Sequence, residues 1–568
     1  MNLSETFNCN EGLAKLSNDG NLIAYARECA LTVRKVTNFV VVNVFKCDNF
    51  VNDIKWSPDS NLILCVIKQM RMLQVFSVET SAWSCTIENV PHVGLKDVCW
   101  APDSRHILTT SEFNLRITVW SLSRNCVFLE NPKACKKSLA FSPGGRFLCT
   151  LGRDEMKDYL HIYDSNDPRW CRVTTTQVPT RDAEGVEWSP DGRYIAVYDS
   201  CLYDKVAIFN GDGTYLRAFG INGTSRSEDK ENADFSLGIR CIQWAPSGQL
   251  LAIGGYDGRC HLLNHATWTS VVVLTHPLNR PIDPLLGLGP TGEVLENRIE
   301  NRASKTHKVA IYLETHCPHT IKSHCGPYGD VASDEDLGQS YTVSNTPYTV
   351  VPVKPDPKKP NPKMGVGLCL FSPTGRYLVT RLENAAHVLW IWSIGVRIAL
   401  VAILSHSSPV LSAAWDPQST ARLAFCTSTG RVFVWTPLGC LATVIEKLNS
   451  KFPVKALSWS ETGDALLLHS SRSFCVCYLD KDLAAAASRN TWSVPITVRH
   501  PLEDKVDPQT PLRDRLSLVE SDLDLPSWAS SGRPNQTPAT NSVTSGSANS
   551  SRRPNVFPQN QERSQWEK

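Results

Sequence analysis

The sequence predicts an all-β protein, a single closed β-propeller of about nine four-stranded blades. Three observations carry this reading. A short turn motif recurs nine times, its spacing is nearly constant, and a further apolar strand follows each copy. The copies begin at Leu16 (Leu-Ser-Asn-Asp-Gly), Trp56, Trp100, Phe141, Trp188 (Trp-Ser-Pro-Asp-Gly), Trp244, Phe371, Trp415 and Trp459 (Trp-Ser-Glu-Thr-Gly). Successive spacings are 56−16 = 40, 100−56 = 44, 141−100 = 41, 188−141 = 47, 415−371 = 44 and 459−415 = 44.

Each turn has a mechanism. Proline presets φ at the first corner, Asp or Ser closes the turn through its side chain, and Gly exits at positive φ. The turn therefore joins two antiparallel strands. The third strands follow at Leu31–Val36, Leu73–Val78, Ile117–Leu122, Leu160–Ser165, Val206–Gly211, Cys260–His265, Leu389–Ile394, Val432–Pro437 and Phe474–Leu479. Several close on an aromatic and a small polar residue, as in Trp120-Ser121, Tyr163-Asp164, Trp392-Ser393 and Trp435-Thr436. None reads Trp-Asp, so the period carries more weight than the dipeptide. Four strands per unit of roughly 40–45 residues is the signature of a WD-repeat propeller.

The sixth unit shows the pattern in full. Ile239–Trp244 is the inner strand, Gln249–Gly254 the second, Arg259–Leu263 the third and Thr267–Thr275 the outer one. Two intervals break the period: a polar insertion near Gly220–Asp234, and a long one from about Pro277 to Pro362. Both fall between blades, where connections emerge on the top rim and binding residues tend to sit. The long insertion is expected to be disordered and ends in a Pro- and Lys-rich extended stretch, Val350–Pro362. The propeller is assigned to residues 1–480, a short helix or strand extension to 481–501, and a disordered tail to 502–568. One island in that tail, Leu516–Trp528, alternates acidic and apolar residues. To close the ring, Leu3–Cys9 has the length to complete the last blade, with Trp492–Val498 as the competing strand. Two smaller rings, or eight blades with one degenerate unit, stay open at this stage.

Composition narrows the class. The chain of 568 residues is 42% hydrophobic and 20% charged, with a net charge of +2. No large field steers it to nucleic acid, and neither nucleic acid nor membrane insertion is expected. The segment Met1–Phe7 has no signal-peptide pattern, and Ile398–Leu404 is the most apolar run but only strand-length. The 20 cysteines are scattered mostly through strands, which fits buried reduced thiols in a cytosolic compartment.

No motif assigns chemistry. Gly287-Leu-Gly289-Pro-Thr-Gly292 matches a dinucleotide fingerprint in letters but lacks the βαβ context. Cys317, His319, His324 and Cys325 offer zinc-type donors at an unusually compact spacing, and Cys475 and Cys477 share one side of a strand. A nucleophile elbow, a Walker loop and a His-Glu-x-x-His helix are all missing, so the chain is expected to be no enzyme and to need no cofactor or metal. Lys354, Lys358, Lys359 and Lys363 form a modest basic run, and Thr346, Thr510 and Thr537 each precede a proline as candidate phosphorylation sites.

Several segments go beyond what a propeller demands. They are His106–Leu122, Pro132–Cys135, Asp199–Leu202, Ser236–Ile239, Gly255–Gly258, Leu263–Trp268 and Asn361–Gly367. In these the chain resembles the eukaryotic centrosome and spindle-pole WD-repeat family, named as encoded antisense to the p-seventy-three tumour protein gene. The likeness runs to about Leu479, through the long insertion with its Lys308–Tyr312 strand. It implies a non-enzymatic scaffold that works with a coiled-coil partner, the synovial-sarcoma-X breakpoint interacting protein type. It further implies anchoring of microtubule minus ends, spindle organisation, cilium assembly, and contact with a minus-end kinesin and pericentriolar material. The expected location is the cytoplasm and cytoskeleton, at the centrosome, spindle pole or centriolar satellites. On this reading the top rim clamps the partner, with Phe113, Arg116, Phe235 and Leu237 as candidate contacts, because exposed aromatics tend to dominate interfaces. The alternative is an RNA- or ribosome-associated propeller of the translation-initiation type, which predicts a strongly basic face.

Overall fold

The computed structural model describes residues 2–88, 95–114, 116–123, 126–130, 132–135, 137–221, 238–286, 288–293, 308–314, 341–356, 358, 363–419, 421–428, 431–444, 452–478 and 498–499. Nine blade sheets follow one another along the chain, antiparallel except for one parallel pairing in the seventh. Their inner strands are Ala14–Leu16, Asp53–Trp56, Leu95–Trp100, Leu139–Phe141, Ala183–Trp188, Ile239–Trp244, Val366–Phe371, Val410–Trp415 and Ala456–Trp459. Each begins one blade, numbered one to nine here. In the first, Ala14–Leu16 pairs with Leu22–Arg27, then Ala30–Lys35, then Val41–Lys46 at the outer edge.

The ring is single and closed. Blade nine has three strands of its own, and the N-terminus supplies the rest. Asn2–Leu3 and Phe7–Asn8 both pair with Ser473–Tyr478. Apolar cores then join every successive pair of blades, the last with the first. Ala14, Ile23 and Tyr25 of blade one are buried with Leu467, Phe474 and Val476 of blade nine. The competing strand goes elsewhere: Val498–Arg499 pairs with Gly439 and Cys440 on the outer strand of blade eight. Residues 492–497 lie outside the described residues.

The tryptophans that open the turns tie blades together. Each indole N–H donates to a backbone carbonyl of the preceding inner strand: Trp56 to Lys15 (2.9 Å), Trp100 to Lys55 (3.1 Å), Trp188 to Ala140 (3.1 Å), Trp415 to Leu370 (3.0 Å) and Trp459 to Ala414 (3.0 Å). These carbonyls are half-buried at the seam between sheets, where such a donor replaces water. Trp244 departs from the pattern, its Nε1 being buried without a partner. The serine after the tryptophan closes the turn at its base. Ser57 Oγ accepts from Leu62 N at 2.9 Å, and Ser189 Oγ from Tyr194 N at 2.9 Å. Turns of neighbouring blades also interlock. Gly145 has φ +74, and a Cβ there would sit 2.8 Å from Pro102 of the preceding blade. Only glycine fits both demands.

Two third-strand tryptophans, Trp120 and Trp392, have a different partner, whereas Nε1 of Trp390 and of Trp435 is buried without one. Trp120 Nε1 donates to Thr109 Oγ1 on the adjacent second strand, at 2.9 Å. In blade seven the chain is longer: Trp392 Nε1 donates to Thr380 Oγ1 (2.9 Å), whose hydroxyl donates to His276 Nε2 (2.7 Å). His276 Nδ1 then donates to the carbonyl of Gly258 at 2.7 Å. Burial holds this imidazole neutral, with its pKa pushed down to about 4.

The long insertion corrects an expectation. Its described parts are ordered strands built onto blade seven rather than a disordered loop above it. Ala310–Glu314 pairs in parallel with Ala399–Ser405, and Tyr341–Val343 pairs with Ala310–Glu314. Blade seven thus has six strands. The cause is composition: Ala310, Ile311 and Tyr312 are fully buried against the outer strand. Pro281–Ile282 pairs with Tyr348–Thr349 nearby. The fingerprint-like glycines form a tight turn, in which Gly289 N donates to Glu293 O and Gly292 N to Gly289 O. The turn packs between blades, since Thr275 N donates to Pro290 O and Leu400 N to Leu288 O. Gly287, the first of that fingerprint, and the Cys317–Cys325 donors lie outside the described residues.

Every described cysteine is a free thiol, most of them buried, although Cys126 and Cys171 are exposed. Cys475 and Cys477 share the core between blades eight and nine. Burial raises their thiols to about 12 and about 11, which keeps both protonated. Among the described residues no helix is long and apolar enough to cross a membrane.

Candidate partner-binding rim

The hydrogen bonds place the second-to-third-strand turns beside the blade-to-blade connections, on the rim opposite the Ser-Pro-Asp-Gly turns. Lys68 N donates to Asn52 Oδ1 (2.8 Å), Gly238 N to Cys201 O (2.7 Å) and Val353 N to Asn384 O (2.6 Å). Each bond joins one such turn to one such connection.

In blade three the turn is Glu112–Asn114, between His106–Ser111 and Arg116–Ser121. Ser111 Oγ braces its base, accepting from Arg116 N and donating to Arg116 O, both at 3.3 Å. Phe113 stands at the tip with φ 62 and 78% exposure. Arg116 begins the third strand, and its guanidinium covers the Phe128 ring at 4.6 Å. These two predicted contacts share one turn, but the Arg116 guanidinium is turned to Phe128 on the outer strand. Phe235 and Leu237 lie outside the described residues, as do Thr510 and Thr537. Thr346 is exposed in the turn after Tyr341–Val343, where its carbonyl accepts from Ser344 Oγ at 2.8 Å. It sits at the edge of blade seven, apart from Phe113.

Three residues that sequence reasoning missed occupy the same structural position as Phe113. Met70 is 48% exposed on blade two, Met156 81% on blade four and Leu202 67% on blade five. Their spacing was the available signal: 113−70 = 43, 156−113 = 43 and 202−156 = 46. The repeat period thus extends to the turn tips. Three of these turns also carry unfavourable backbone, beginning with Arg71, which follows Met70 at φ 54. Phe113 is left-handed, and Glu155–Met156 forms a two-residue hairpin with φ 43 and 64. Such a turn ordinarily takes Asn-Gly. A bulky side chain held left-handed and exposed has no packing to account for it, and such strain clusters at functional sites.

An ionic network, buried at Lys133 and Asp158 and open to solvent at Asp182 and Arg153, links blades four and five beside the Met156 and Leu202 turns. Lys133 Nζ lies 3.0 Å from Asp158 and 2.9 Å from Asp182, and Arg153 also pairs with Asp182 at 3.0 Å. Asp158 accepts from Ala183 N at 2.7 Å, tying blade four to blade five. Asp199 accepts from the backbone of Arg181 (3.1 Å) and Asp182 (2.9 Å), yet burial still pushes its carboxyl up to about 6. Lys133 and Asp199 belong to the segments that exceed the generic repeat.

Comparison with known proteins follows from this geometry. The chain is 35% identical to the mouse WD repeat-containing protein WRAP73 over 492 residues, spanning 84% of this chain and 96% of that one. The chain belongs to the WRAP73 family of WD-repeat proteins. The family assignment makes it a WD-repeat propeller scaffold for protein interaction, a class that is generally non-catalytic. A fission-yeast WD-repeat protein, C32H8.09, is 30% identical to this WRAP73-family chain over 187 residues, covering 32% of it and 36% of the yeast protein. The profile of the WD domain, G-beta repeat, matches residues 232–264. That of eukaryotic translation initiation factor eIF2A matches residues 72–216. Among solved structures, the C-terminal WD40 domain of Sif2 aligns over 84% of this chain and 98% of its own, at 10% identity and a TM-score of 0.43.

Proposed function

We propose that this WRAP73-family member is a non-enzymatic scaffold of the centrosome and spindle pole. Its top rim binds a coiled-coil partner of the synovial-sarcoma-X breakpoint interacting type. With that partner it helps anchor microtubule minus ends, organise the bipolar spindle and support cilium assembly, alongside a minus-end kinesin and pericentriolar material. The observation that carries this reading is the likeness to mouse WRAP73 along nearly the whole of that protein. The exposed apolar tips of the rim support a role in binding. Imaging of the fluorescently tagged full-length chain in dividing cells tests it. Focused signal at spindle poles, with splayed poles on depletion, is the expected result. Diffuse signal with normal spindles overturns it.

The match of residues 72–216 to the initiation-factor profile favours a second reading, a propeller seated on the ribosome. Co-sedimentation with ribosomal subunits that survives moderate salt is its expected sign.

A further inference from the structure

We propose that Cys241 is an oxidisable thiol, which hydrogen peroxide couples to Cys369 in a disulfide that locks blade six to blade seven. The inference goes beyond the scaffold reading and does not depend on the partner.

Three thiols meet at the seam between these blades. Cys241 lies on the inner strand Ile239–Trp244 and Cys260 on the third strand Arg259–Asn264. Gly254 of the second strand pairs with Cys241 on one side and with Cys260 on the other. Residues directly opposite share a face, so the two cysteines stand in one row. Gly254 leaves a gap in that row: a Cβ there would lie 2.7 Å from Cys241 Sγ and 3.0 Å from Val366 of blade seven. Cys369, on the inner strand of blade seven, comes against the row from the facing sheet. Its Sγ is 3.7 Å from Cys241 Sγ and 3.8 Å from Cys260 Sγ. Cys369 is thus the shared neighbour, and it bonds to one of the two at a time. The sulfurs already touch, and a bond forms when they close to about 2.05 Å.

Exposure sets the order of events. Cys241 is half-buried, whereas Cys260 and Cys369 are 0% and 5% exposed. Peroxide therefore meets Cys241 first. The Cys241 sulfur attacks one peroxide oxygen, the O–O bond breaks and an S–O bond forms. The thiol proton leaves with the other oxygen as water, and Cys241 is a sulfenic acid. The Cys369 sulfur then displaces that hydroxyl. The S–S bond forms, the S–O bond breaks, and the Cys369 proton leaves with the oxygen as a second water. The two thiols have given up one electron each, and the peroxide has taken both. The neighbouring thiols and burial push the Cys369 thiol up, which keeps it protonated and unreactive until Cys241 is oxidised. Cys369 lies on Val366–Phe371, the strand by which the chain returns from its long insertion. The bridge therefore ties the two blades between which the insertion leaves and returns, and a thiol reductant releases it.

The test uses the purified full-length chain. Hydrogen peroxide is raised until the exposed Cys126 and Cys171 are oxidised, which shows that the reagent has acted. Remaining thiols are then alkylated under denaturing conditions, and the peptides are mapped by mass spectrometry. The expected result is a linked Cys241–Cys369 peptide that dithiothreitol separates. Cys260→Ala should keep this linkage. Cys241→Ser should abolish it and leave Cys369 open to alkylation. The unfolding midpoint of the oxidised chain should exceed that of the reduced chain by at least about 3 °C, a gain that Cys241→Ser lacks. Full alkylation of Cys241 and Cys369 while Cys126 and Cys171 are oxidised overturns the proposal. So does Cys241 carried on to a sulfinic acid without a bridge, or a Cys260–Cys369 bridge that persists in Cys241→Ser.

Discussion

At the scale of single residues, the same side-chain type carries different tasks that spacing alone does not separate. The tryptophans at the inner-strand ends were legible as a period, but their physical role was not. Trp100 reaches the backbone of Lys55 in the preceding blade, some 45 residues away in sequence. Trp100→Phe keeps an aromatic ring and removes the donor, leaving the half-buried Lys55 carbonyl without its indole partner. The expected loss is about 1–3 kcal/mol in chemical denaturation. At the rim the sign reverses. Met156 occupies a position that suits glycine and buries nothing. Met156→Gly should therefore raise stability by about 1 kcal/mol, even as it weakens partner binding. A variant that is less stable than wild type would contradict the view that this residue is kept for its surface. Of the candidate contacts, Phe113 was readable because it lay in a segment the fold does not demand. Met70, Met156 and Leu202 were hidden by short turns whose ends cannot be placed from hydrophobic alternation. Aligned by the repeat, they stand in one column.

At the scale of elements, alternation and turn chemistry located the strands well, since each buried position is pinned by pairing on both sides. The insertion was harder. Its Pro- and Lys-rich end pointed to a solvated loop, while the decisive feature is Ala310–Glu314, a short apolar run that adds to the edge of blade seven in parallel. Parallel addition to a distant strand leaves no local turn to read. The same blade holds the Trp392–Thr380–His276 relay. Burial keeps the imidazole neutral, as the bond that Nε2 accepts from Thr380 requires, and its folded pKa lies at about 4 against an ordinary 6.5. The unfolded chain therefore binds the extra proton. Stability is complete above 6.5 and is lost as pH falls through the window towards 4. The buried imidazoles of His161 and His469 (each about 4) and His406 (about 3) act with the same sign. Thermal unfolding should show a falling midpoint between pH 6.5 and 4. His276→Gln should flatten part of that slope; an unchanged slope would remove His276 as a contributor.

At the scale of the whole molecule, stability depends on closure. The N-terminal strands make blade nine complete. Ser4 exchanges hydrogen bonds with Val476, at 2.9 and 3.0 Å. Phe7 stacks on Phe474 at 5.5 Å and Phe39 at 5.0 Å, under the guanidinium of Arg34. Removing residues 2–9 exposes Ser473–Tyr478 as an open edge. The expected outcome is a drop of more than about 5 °C in the unfolding midpoint and self-association that rises with concentration. A monomer of unchanged stability would mean that the ring does not need this clasp. Closure also bears on function, because a closed ring holds the exposed turn tips of its rim in fixed relative positions. Nine repeats and the closing segment were legible in the sequence. The rim that the turn tips share was not, since it arises only when the ring closes.

The most direct test of the scaffold reading is proximity labelling with the full-length chain in dividing cells, read by mass spectrometry. Enrichment of the coiled-coil partner together with pericentriolar proteins is the predicted result. Enrichment of ribosomal proteins and initiation factors, with the centrosomal proteins missing, would contradict it.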